Sequence, residues 1–108
     1  MPVAADPTPF PLDHLDQFGR DDDPALALRG ETLTYRNLRE RVGRLSAWLR
    51  HRLPQPGARV ATWAAKGELT CLMPLAAARA GLVHVPVNPL LKRGQTAHIL
   101  ADSGATLL

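Results

Sequence analysis

The stretch from Arg79 to Gly104 constrains the fold most, because it holds a helix end, a strand, a turn and a second helix in quick succession. Gly81 supplies the left-handed conformation that closes a helix at little cost. Val83, Val85 and Val87 follow as β-branched residues suited to a pleated sheet. Pro86 and Pro89 have no backbone donor and bias the residues before them toward extended geometry, which predicts a strand over 82–86 and a turn through Asn88. Helical spacing returns at Lys92 and predicts a helix over 93–101, stopped at Ser103-Gly104.

The upstream chain repeats the alternation. Residues 1–11 carry Pro2, Pro7, Pro9 and Pro11, a spacing no helix or central strand tolerates, so an extended N-terminal arm is expected there. Pro11 can open a short helical turn with Leu12, Leu15 and Phe18 on one face, ended by Gly19. Asp21-Asp22-Asp23-Pro24 reads as a solvated turn without basic companions. Residues 25–29 and 32–35 are extended runs around Gly30-Glu31, the pattern of a β-hairpin. Thr34 is placed to cap a helix whose stripe is Leu38, Val42, Leu45, Leu49 and Leu53, with arginines elsewhere and Pro54-Gln55-Pro56-Gly57 as its stop. A strand over 59–65 and an alanine-rich helix over 68–80 follow, the helix able to pack Leu69, Leu72, Met73, Ala76, Ala77 and Ala80. Pro74 requires either a kink or a late start in that helix. Residues 105–108 begin another apolar strand. Strand and helix in alternation call for an α/β fold, an N-terminal hairpin followed by a mainly parallel sheet with covering helices. The apolar Leu107-Leu108 suggests a sheet cut in mid-fold, whose edge two copies would cover by pairing or exchanging segments.

At 108 residues the chain supports one core. An apolar fraction of 45% with 21% charged residues excludes disorder, and no run reaches the ~20 apolar residues of a spanning helix. With no basic start and apolar block at the amino terminus, a cytoplasmic location is expected. Net charge is +3, but the arginines Arg36, Arg39, Arg41, Arg44, Arg50 and Arg52 lie on one helix with only Trp48 among them. That pattern reads as a solvated face and not as a nucleic-acid stripe. The single Cys71 excludes an intrachain disulfide and reads as a small buried residue. His84 reads as a core or edge histidine, His98 as packed or half-exposed, and His14 and His51 as solvent-facing; no histidine pair has metal spacing. Lys66-Gly67-Glu68 lies at a strand-to-helix turn, where α/β sheets bind ligands, but lacks a glycine-rich phosphate loop.

Leu33-Thr34-Tyr35-Arg36-Asn37-Leu38, Arg79-Ala80-Gly81 with Val85-Pro86-Val87-Asn88-Pro89, and Ile99-Leu100-Ala101-Asp102-Ser103-Gly104-Ala105 resemble the opening motifs of the AMP-forming acyl-CoA synthetases, the adenylate-forming superfamily. Asp23-Pro24-Ala25-Leu26 is similar to the segment before the first hairpin of that family. The likeness runs over residues 12–108, in the family's order. Asn88 is more like acyl-CoA ligases than peptide-synthetase adenylation domains, which usually carry aspartate there. More narrowly, 86–91 with 95–100 resemble acyl-CoA ligases associated with exosortase A systems. Pro74 and His84 depart from the family pattern.

The resemblance implies the N-terminal scaffold of an enzyme that uses ATP and Mg2+ to convert a carboxylate to an acyl-adenylate, then passes the acyl group to CoA. The family's phosphate loop, acidic ribose-binding motif and catalytic lysine have no counterpart in the chain. No catalytic, cofactor-binding or metal residue is therefore assigned, and the chain is expected to be inactive without the remainder of the ligase. The competing readings are a small α/β interaction module using an exposed sheet edge and a weak arginine-mediated nucleic-acid binder.

Overall fold

The computed structural model describes residues 12–108. The expected arm over 1–11, with Pro11 as a helix opener, lies outside the described residues. A 3-10 helix, Leu12–Gln17, leads into a hairpin of β1 (Pro24–Leu28) and β2 (Glu31–Thr34). Then come α1 (Tyr35–Arg52), β3 (Arg59–Trp63), α2 (Glu68–Arg79), β4 (Val83–Val87) and α3 (Arg93–Ser103). β3 and β4 pair in parallel, and Leu107 forms a parallel bridge to Val60 on the other flank of β3. The mixed α/β architecture with parallel strands is the one expected.

The hairpin closes one residue earlier than the sequence suggests. Leu28 pairs with Glu31, so the loop is Arg29-Gly30, with Gly30 at a φ of 85°. Only glycine takes that conformation without strain, and it falls at the second loop position.

α1 begins at its expected cap, where Thr34 Oγ1 accepts from the Asn37 N–H at 3.2 Å. Such a cap is worth about 1 kcal/mol. Leu38, Val42 and Leu49 are buried, and Leu45 and Leu53 pack partly against the same cluster. That cluster joins α1 to α2 through Leu72, Met73, Ala76 and Ala77, and to the sheet through Val60.

α2 runs through Pro74 without a break and starts at Glu68, so the late start is not needed. Leu69 and Cys71 are exposed instead of packed. Cys71 falls off the face defined by the buried positions 72, 73, 76 and 77, whereas Leu69 lies on that face one turn earlier and is exposed because it lines an open cleft.

β4 extends past Pro86 to Val87, a correction to the expected end of the strand. Val83 N–H donates to Ala58 C=O at 2.9 Å, so the odd-numbered residues of β4 face β3 and His84 and Pro86 face away. Among the described residues β4 is an edge strand, and the missing proline donor is on its open flank, where it costs no ladder bond. That flank offers one N–H within the strand, from His84.

The 3-10 helix holds the largest difference from expectation. Leu12, Leu15 and Phe18 are exposed, whereas the Asp16 side chain is buried. Its carboxylate accepts from Arg79 Nη2 at 2.6 Å, and Arg39 Nη1 donates to the Asp16 backbone carbonyl at 3.2 Å. A charged anchor therefore docks this segment on α2. Gly19 lies against the Tyr35 ring so closely that a Cβ there would come within 2.0 Å of it.

Candidate functional site

Ligands of parallel α/β sheets collect at the carboxyl ends of the strands. Here that end is built from Ala64, Ala65, Lys66, Thr70 and the turn Asn88-Pro89-Leu90. Its polar groups are largely occupied by the loops themselves. Thr70 Oγ1 donates to Ala65 C=O at 2.9 Å, and Asn88 Oδ1 accepts from Leu90 N–H at 2.9 Å. Lys66 has no carboxylate partner among the described residues.

The N-terminus of α2 could in principle attract an anion. Glu68 already supplies the negative charge in its first turn and pairs with Arg41 at 2.7 Å; Arg41 also reaches Glu31 at 3.3 Å. The Glu68 hydrogen bond holds the Arg41 guanidinium above its usual range. Lys66-Gly67-Glu68 is thus a turn pinned to α1 and the hairpin, with no cradle of free donors for phosphate among the described residues.

The arginines of α1 have partners that sequence spacing does not reveal. Arg36 pairs with Asp21 and Asp22, and Arg39 with Asp21, so the acidic turn does have basic companions. Arg44 pairs with Glu40 at 3.9 Å, and Arg52 lies over the Trp48 ring at 5.5 Å. The expected solvated face is in large part a clamp holding the 21–31 segment on the helix. His84 is half-buried, with Nε2 2.8 Å from Thr62 Oγ1, and burial lowers its pKa. His14, His51 and His98 are exposed. Among the described residues no group of three or more His, Cys, Asp or Glu side chains is placed to hold a metal ion.

A further feature of the surface is apolar. A cleft of about 400 Å³ lies between α1, α2 and the Leu107 flank of β3. Leu45, Trp48, Leu69, Met73, Trp63 and Leu108 line it. Trp48 is 49% exposed, Trp63 40% and Leu108 63%, values unusual for a set of large apolar side chains grouped in one place. Sequence reasoning missed this site. The available signal was Trp48, which falls between Leu45 and Leu49 and off the buried stripe of α1.

A model of the AMP-binding enzyme family matches residues 15–108. The chain belongs to the AMP-binding enzyme family. It is 38% identical over 85 residues to the fatty acid–[acyl-carrier-protein] ligase ScoC of Streptomyces coeruleorubidus, covering 79% of this chain and 16% of the ligase. Against the long-chain-fatty-acid–CoA ligase of Yersinia pestis it is 36% identical over 88 residues, covering 81% and 16%. The N-terminal subdomain of Klebsiella oxytoca NpsA, solved with anthranilyl-AMSN, superposes with a TM-score of 0.75 at 29% identity, over 87% of this chain and 24% of that one. This AMP-binding chain therefore spans about a sixth of the length of the ligases it matches. Its described fold is that of the adenylate-forming superfamily, as the opening motifs imply. Among the described residues no helix is long and apolar enough to cross a membrane.

Proposed function

We propose that this chain is the N-terminal framework of an ATP-dependent, AMP-forming acyl ligase. In the first step a carboxylate oxygen attacks the α-phosphorus of ATP, and the bond to pyrophosphate breaks. In the second, the thiol of CoA gives up its proton and its sulfur displaces AMP from the acyl carbon. CoA is favoured over a carrier-protein thiol by Asn88 in the Pro-Val-Asn-Pro turn, which resembles acyl-CoA ligases. The observation that carries the reading is the match across residues 15–108 to family members that include two fatty-acid ligases.

Both steps need donors aimed at the charge that develops on phosphate oxygens. The described residues do not fit ATP with Mg2+: Lys66 is the one cation at the strand ends, and the α2 N-terminus is occupied by Glu68. No step is therefore assigned to this chain's side chains, and nucleotide, metal and CoA are taken to bind the remainder of the ligase. The carboxylate partners of Arg36, Arg39 and Arg41 favour this framework role over arginine-mediated nucleic-acid binding.

Pyrophosphate release is measured with ATP, Mg2+ and a panel of fatty and aromatic acids. The 108-residue chain alone is expected to give none. A hybrid in which it replaces the matching segment of the Yersinia pestis ligase is expected to give acid-dependent release, followed by thioester when CoA is added. Acyl-adenylate formed by the chain alone, or a folded hybrid without activity, overturns the proposal.

A further inference from the structure

We draw no further inference here: the strongest candidate, the groove between α1 and α2 lined by Arg41, Arg44, Leu45, Trp48, Glu68 and Leu69, carries nothing, because Glu68 and Glu40 offset the charge of Arg41 and Arg44 and nothing in the structure shows what covers its apolar floor.

Discussion

Substituting Arg79 by methionine tests whether a buried charge pair holds the 3-10 helix on the fold. Asp16 is fully buried, its Oδ2 is 2.6 Å from Arg79 Nη2, and its Oδ1 accepts from Gln17 Nε2 at 3.2 Å. Arg79→Met removes the countercharge and leaves the carboxylate desolvated, with one neutral donor among the described residues. Breaking a buried pair in this way costs about 3–5 kcal/mol. Asp16→Asn keeps an acceptor in place and leaves an arginine that can turn to solvent, so its cost is about 1.5 kcal/mol. The double variant Asp16→Leu/Arg79→Met removes both charges and is expected within about 1 kcal/mol of the parent, since apolar replacement of a buried pair is often neutral. Urea unfolding by far-ultraviolet circular dichroism reads the series. With a slope of about 1.5 kcal/mol per molar, Arg79→Met lowers the midpoint by roughly 2–3 M. An Arg79→Met cost below about 1 kcal/mol, or a double variant as unstable as that single one, would refute the reasoning.

Gly19→Ala places a Cβ about 2 Å from the Tyr35 ring and should cost about 1–3 kcal/mol, with Gly19→Ala/Tyr35→Ala partly relieving the clash in a thermal melt. Thr96 is 2% exposed and its Oγ1 has no hydrogen-bond partner among the described residues, so Thr96→Val should raise stability by about 1 kcal/mol in urea; a loss would mean the hydroxyl is bonded. Burial lowers the His84 pKa below its ordinary 6.5, so the unfolded chain takes up the proton first as pH falls. The His84 contribution is therefore intact above about pH 6.5 and declines below it, and His84→Gln should flatten that slope in unfolding midpoints measured across this range.

The elements themselves were legible because each has a local cause. Thr34, Gly81 and Gly104 punctuate the chain, and the stripe of α1 has a strong helical period. What remained hidden depends on residues distant in sequence. Asp16 in a ridge of leucines looks like a solvent residue until Arg79, 63 positions away, is brought beside it. The arginines of α1 looked solvated because Asp21, Asp22, Glu31 and Glu68 reach them only through the fold. Pro86 read as a strand end because sequence does not say which flank its missing donor faces. The cleft was obscured for a similar reason: Trp48 and Trp63 belong to different elements, and only the turn of α1 onto β3 groups them.

Pro86 also decides how large an aggregate this sheet could seed. Fibres grow by edge-to-edge repetition, which demands two receptive borders on every unit. Here the β4 border is interrupted at Pro86 and offers a single N–H within the strand, from His84, so it is a poorer template for a further strand than an unbroken border would be.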